Sequence, residues 1–262
     1  DGSGNPVEAT GDEQVELFRS VKAGNGRVEI ALTDGGTLSA AQVNDLSVAG
    51  TANCYVVSAP GTYVFNARVR GNGAGEGVGF EPAIEMADGM TADWLWTDSE
   101  GLVSGIALDK VSGDISFTVG EGKGNALVAL MQDGRVVWSW HVWVTDAPQT
   151  MTYGNGTVFM DRNLGAVGTT AGGTDAYGMY YQWGRKDPFY GGEKTETSAN
   201  AFLEAKNGTA VNPAYPALGW NFSKSATTTD GAAANPMTFY NDKVGTGYNW
   251  LASPNATLWG EA

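Results

Sequence analysis

The clearest pattern along the chain is the alternation over Arg135–Thr145. Val136, Trp138, Trp140, Val142 and Val144 fall on one face and Val137, Ser139, His141 and Trp143 on the other, the period of a β-strand. Such a strand is expected to bury at least one face. Upstream, Asn125–Met131 is a second apolar run, and Asp133-Gly134 between them tolerates the positive φ angles of a tight hairpin turn, so the two segments are expected to pair antiparallel. Arg27–Leu32, Cys54–Ser58, Thr62–Val69 and Asp114–Val119 read as further short strands, with a turn at Pro60-Gly61. Several short strands joined by tight turns predict a β-sandwich.

The texture changes after Val144. Thr145–Thr150 is polar and contains Pro148, which cannot donate to a strand ladder, and this places a domain boundary there. Beyond it, Met151–Tyr153 and Thr157–Asp161 flank Gly154-Asn155-Gly156 as a second hairpin, followed by loops rich in Gly, Ala, Thr, Asn and Pro with isolated aromatics. Residues 199–206 and Ala176–Arg185 are candidates for short helices, although short apolar runs do not separate helix from strand. The expected organisation is a polar, flexible lead-in over residues 1–19, a sandwich module over 20–147 and a loop-rich module over 148–262.

Composition narrows the chemistry. Of 262 residues 38 are glycine, about twice the usual ~7% share, which suits a β-rich chain with many turns. A formal net charge of −14 opposes binding to nucleic-acid phosphate or anionic lipid. No apolar run approaches the ~20 residues that span a bilayer as a helix. One cysteine, Cys54, and one histidine, His141, allow neither an internal disulfide nor a Cys/His structural zinc site.

Ala52–Val57 with Pro60–Tyr63 and Trp138–Asp146 in the first module, and Phe159–Ala166 and Gly178–Phe189 in the second, carry a family resemblance. These stretches resemble the fimbrillin-like surface proteins of gut Bacteroidetes that carry a Fibrobacter-succinogenes-type major paralogous domain. The resemblance implies an exported cell-surface or pilus protein at the outer membrane, a lipoprotein in its precursor form. It also implies a sandwich followed by a module similar to C-type lectins, and no known catalytic residues. Members usually continue into a Cys-Pro-Pro-Gly-Trp-Arg-like segment, whereas this sequence stops at Trp259-Gly260-Glu261-Ala262, so the second module is expected to be incomplete.

Candidate catalytic groups are sparse. His141 sits mid-strand, and Cys54 lies in a half-buried strand where it behaves as a small hydrophobe. Asp93, Asp98 and Glu100 lie beside Trp94 and Trp96, a glycosidase vocabulary as well as that of a solvated turn, with the tryptophans expected to pack across the sandwich. Gly71–Gly79 and Gly120–Gly124 lack phosphate-loop spacing and read as turns, and no Asp-x-Asp-x-Asp-Gly calcium loop occurs. No metal or cofactor is assigned. The Asn-x-Ser/Thr triplets at Asn155, Asn207, Asn221 and Asn255 indicate exposed loops.

Polar and charged residues packed beside aromatics mark the second module: Asp161, Arg162, Tyr180, Trp183, Arg185 and Asp187. Guanidinium and carboxylate groups that bond each other and nearby carbonyls would pin irregular loops. Alternatively they form a carbohydrate site, with Trp183, Tyr180, Tyr181, Trp220, Trp250 and Tyr248 as available platforms. The expectation is a mostly β, non-enzymatic cell-surface adhesin or pilus subunit, an Ig-like or fimbrillin-like sandwich acting as docking or stalk module and the C-type-lectin-like loops making recognition. The rival expectation is a surface glycan-binding module for polysaccharide capture. The corresponding partners are other pilus subunits or surface glycans, with the membrane reached only through a precursor lipid anchor.

Overall fold

The computed structural model describes residues 21–23, 26–32, 38–71, 82–190 and 210–253. The expected lead-in, nearly all of the Gly71–Gly79 loop, the candidate helix at 199–206 and the last nine residues lie outside the described residues. The described chain is mostly β. Its strands are β1 (Val21–Ala23), β2 (Gly26–Leu32), β3 (Leu38–Asp45), β4 (Cys54–Val57), β5 (Gly61–Asn66), β6 (Met90–Thr97), β7 (Val103–Asp109), β8 (Asp114–Val119), β9 (Gly124–Gln132) and β10 (Arg135–Val144). After them come β11 (Thr150–Thr152), β12 (Val158–Met160), β13 (Ala210–Val211), β14 (Asn221–Ser223), α1 (Thr229–Ala234) and β15 (Thr238–Tyr240).

Two sheets dominate: one in the order β1-β2-β3-β5-β8-β7, the other in the order β13-β6-β9-β10-β4. The β9–β10 hairpin forms as its alternation predicts, with Asp133 at φ 50° and Gly134 at φ 76° in the connecting turn. Pro60-Gly61 does not join hairpin partners. It carries the chain from β4 in the second sheet to β5 in the first, so the turn crosses between the layers.

The sheets pack face to face around Phe65, whose ring lies 5.0 Å from Tyr55, 6.0 Å from Phe117 and 5.1 Å from Trp140. Val128, Leu130 and Val142 of the second sheet meet Ile115 and Val119 of the first in the same core. The opposite face of β9 and β10 is buried as well. Leu127, Ala129, Met131 and Val136 join Leu95 and Trp96 in a second apolar cluster, closed by Met237 and Trp220 from beyond Thr150. This explains why β9 reads as a continuous apolar run, since a strand covered on both faces has no solvent side to alternate with.

The tryptophans of β6 correct one expectation. A register shift in the β6–β9 pairing falls between Trp94 and Trp96. Trp94 therefore packs toward the core between the sheets, while Trp96 turns to the other face and meets Trp220 at 5.3 Å.

Beyond Val144 the chain forms the β11–β12 hairpin and then crosses the outer face of the second sheet. β13 adds to the edge of that sheet beside β6, where Asn212 donates to the carbonyls of Leu95 and Trp94. No helix forms over Ala176–Arg185. A 3-10 turn at Thr174–Ala176 is followed by extended chain, in which Met179 N donates to Leu164 O and Tyr180 pairs with Phe189. Gly178 lets the backbone come close, because a Cβ there would meet Leu164 O at 2.5 Å.

Replacing Phe65 by Ala removes the ring around which both sheets pack. It is expected to destabilise the chain by about 3–5 kcal/mol, read as a lowered urea midpoint.

Candidate functional site

The outer face of β10 carries Ser139, His141 and Trp143, Thr145 continues the alternating row just past the end of the strand, and each member holds a different segment of the later chain. Ser139 donates to Asp187 Oδ1 at 2.8 Å, and Trp143 Nε1 donates to Ala166 O at 2.9 Å. Thr145 Oγ1 accepts from Arg162 at 2.8 Å, and the Tyr181 hydroxyl lies 3.3 Å from His141 Nδ1. The period of the strand sets these anchor points on one line.

The parallel pairing of β4 with β10 puts Cys54 directly opposite His141, 87 positions apart in sequence, with Sγ 3.3 Å from Nδ1. On the other side of the ring, Nε2 lies 2.8 Å from Asn125 Oδ1. Asn125 Nδ2 donates to Asp98 Oδ2 and to Gly165 O, which leaves Oδ1 as the acceptor. The network therefore assigns the ring proton to Nε2 and leaves Nδ1 as a single lone pair facing two donors, the Cys54 thiol and the Tyr181 hydroxyl.

Cys, His and Asn stand here in the order that cysteine hydrolases use, which the sequence reading missed because the three lie on three separate strands. Their protonation is opposite to what a nucleophile needs. Burial pushes the Cys54 thiol up to about 12 and the His141 imidazole down to about 3, so the pair rests as neutral thiol and neutral ring. The cluster is built to hold Tyr181. Burial raises the pKa of Tyr181 too, so it also rests as the neutral donor.

Tyr181 forms one wall of a cleft of about 560 Å³ lined also by Gln182, Trp183, Phe239, Asn241 and residues 246–250. Trp183 stands on a turn closed by Arg185 N donating to Gln182 O, with Gly184 at φ 74° in the left-handed position. The turn sends Gln182 and Arg185 inward and leaves Trp183 77% exposed. Gln182 Nε2 donates to Tyr240 O at 2.6 Å and its Oε1 accepts from Tyr240 N, joining the turn to β15. Trp250 Nε1 donates to Trp183 O at 2.7 Å and closes the cleft from the far side.

The loop over Asn241–Trp250 is organised on Asp242. Its Oδ1 accepts from Gly245 N and its backbone carbonyl from Tyr248 N. Tyr248 is held at φ 75°, a region a tyrosine seldom adopts, and its ring remains 59% exposed.

Of the six residues singled out from sequence, Trp183 alone lines the cleft. Arg185 is buried and its guanidinium donates to Thr238 O, Asn235 O and Gln182 Oε1, tying the end of α1 to β15. Asp187 is buried between Arg185, Lys186 and Ser139. Arg162 forks onto both oxygens of Asp161 at 2.8 and 3.0 Å, and this bond holds the Asp161 carboxyl below its ordinary range. Tyr180 is exposed beside its backbone pairing with Phe189. Trp220 is packed against Trp96 and Phe189 and offers no platform. Asn241, Thr246 and Asn249 were not found from sequence, since amides and hydroxyls in a loop-rich region carry no distinguishing pattern.

Of the carboxylates beside Trp94 and Trp96, Asp93 accepts from the Tyr215 hydroxyl and from Trp94 N and Asp98 accepts from Asn125, while Glu100 is exposed. Among the described residues no group of three or more His, Cys, Asp or Glu is placed to hold a metal ion.

His141 gives a pH prediction. Its folded pKa of about 3 lies below the ordinary imidazole value of 6.5, so between these values the unfolded chain binds more protons. The contribution of His141 to stability is complete above pH 6.5 and declines as pH falls toward 3, by at most about 1.4 kcal/mol per pH unit. Nitrogen-15 NMR of this single imidazole is expected to show a neutral ring protonated on Nε2 at pH 5, and the stability difference between the wild type and His141→Gln is expected to shrink with acid. Asp187→Ala would leave Arg185 and Lys186 buried without their carboxylate and is expected to cost about 3–5 kcal/mol in a denaturant titration. No protein-family model, curated protein or solved structure matches this chain, so its function has to be read from its own geometry.

Proposed function

We propose that the protein is a non-enzymatic cell-surface adhesin or pilus (fimbrial) subunit of the fimbrillin-like kind, acting at the extracellular face of the outer membrane. On this reading the paired sheets are an Ig-like or fimbrillin-like docking and stalk module. The chain beyond Thr150 is a C-type-lectin-like module whose loops meet the partner.

The observation that carries this reading is the aromatic cleft on loops that the sheets hold rigid. Tyr181 is tied to His141 of β10, and Trp183 extends from the adjoining turn at 77% exposure. Binding residues on loops positioned by a stiff scaffold are the usual arrangement of recognition proteins. The neutral Cys54–His141 pair favours binding over covalent catalysis. The sequence resemblance of Phe159–Ala166 and Gly178–Phe189 supports the same family, and both stretches contribute side chains or carbonyls to the anchoring of the later chain on β10.

Gold-conjugated antibody against this chain is expected to decorate intact cells along filaments or at their tips in electron micrographs. Diffuse surface label without filaments would remove the pilus role, and label only in permeabilised cells would overturn the surface assignment altogether.

A further inference from the structure

We propose that the cleft between Trp183 and Tyr248 binds an uncharged saccharide, with sugar faces against the two exposed rings and sugar hydroxyls on the amides of Asn241 and Asn249. The proposal rests on the reading of these loops as the recognition surface and names what they recognise.

The first argument is the state of the two rings. Single exposed hydrophobics are ordinary, but here two large rings flank one concavity, Trp183 at 77% and Tyr248 at 59% exposure. Tyr248 is moreover kept in a left-handed backbone conformation at φ 75°. A non-glycine residue held there costs of order 1–3 kcal/mol and persists because its surroundings over-determine it. The hydrogen bonds that converge on Asp242 supply that determination, and the ring stands half-exposed in the cleft wall.

The second argument is charge. The cleft lining contains no Asp, Glu, Lys or Arg. An anionic ligand would enter without a cationic partner and against a net charge of −14. A quaternary ammonium suits aromatic faces, but the Lys243 ammonium already stands 6.0 Å from the Tyr248 ring centroid. A neutral ligand meets neither obstacle.

The third argument is hydrogen bonding. Asn241 Oδ1 is shielded from solvent and has no donor among the described residues. Asn249 Oδ1 accepts from Leu251 N, and its amide stands in the same cleft wall. The cleft thus offers a buried acceptor that lacks a donor, and an amide donor, beside apolar ring faces. A hydroxyl group supplies both complements, and a pyranose carries hydroxyls around an apolar face of C–H groups.

The test is titration of the full chain with a panel of neutral hexasaccharides (cellohexaose, xylohexaose, mannohexaose, maltohexaose), followed by tryptophan fluorescence and calorimetry, with phosphocholine and a polygalacturonate oligomer as charged probes. At least one neutral sugar is expected to bind saturably. Trp183→Ala and Tyr248→Gly are each expected to weaken it by roughly tenfold or more. Glycine adopts the φ at position 248 without strain, so Tyr248→Gly is expected to leave the melting temperature unchanged or raised, separating loss of the platform from loss of the fold. Failure of every neutral sugar, binding that survives both variants, or preferential binding of phosphocholine or polygalacturonate would overturn the proposal. Filament label on cells with no sugar binding would sink the ligand class alone. Sugar binding without surface label would leave the cleft assignment standing and remove the adhesin reading.

Discussion

The outer row of β10 is the constraint on which the rest depends. Ser139, His141, Trp143 and Thr145 sit on alternate positions along β10 and its first residue beyond, and each bonds a different segment of a chain that has little regular structure of its own. Loops without ladders must satisfy their polar groups some other way, and here they do so on a line of side chains whose spacing the pleat fixes. An apolar face would have buried the same area with less definition of register. Polar anchors with directional partners specify which segment lies where. The apolar cluster around Trp96, Met131 and Met237 then supplies bulk burial beside the row.

Much of the scaffold was legible because its signals are local. The β9–β10 hairpin follows from alternation plus Asp133-Gly134, and β8 and β12 from short apolar runs between turns. The sequence marks β6 by its carboxylates and tryptophans rather than as a strand, and it carries no strand signal over β7. In β6 a bulge breaks the alternation between Trp94 and Trp96, and β7 contains Gly105 and is exposed along half its length. The absent helix over Ala176–Arg185 has a physical reason. Backbone donors there are used by Leu164 O and Phe189 O, and the glycines serve close approach and a left-handed turn, none of which local propensity records.

The site was legible only in part. Trp183 could be singled out because an aromatic among charged residues is conspicuous. Its polar neighbours face the other way, since the turn through Gly184 directs Gln182 and Arg185 into the protein while the tryptophan remains outside. The guanidinium that looked available for a ligand instead joins α1 to β15, and Asp187 balances it in a buried pair that would be costly to break. The Cys54–His141 contact was beyond reach because parallel pairing of β4 with β10 brings together residues 87 apart with no local signal.

Tyr181 is where scaffold and cleft meet. One end of the residue lines the cleft, and its hydroxyl lies 3.3 Å from an imidazole that is itself fixed through Asn125 of β9 to Asp98, just past the end of β6. Only one lone pair is available at His141 Nδ1, and the Cys54 thiol stands at the same 3.3 Å. A thiol is the weaker donor, so its presence leaves the lone pair largely to the phenol while filling the space a water would need. Burial keeps all three groups neutral, which removes any charge that could draw solvent into the joint. The wall of the cleft is therefore set by the strand order of the second sheet rather than by the loops that display it.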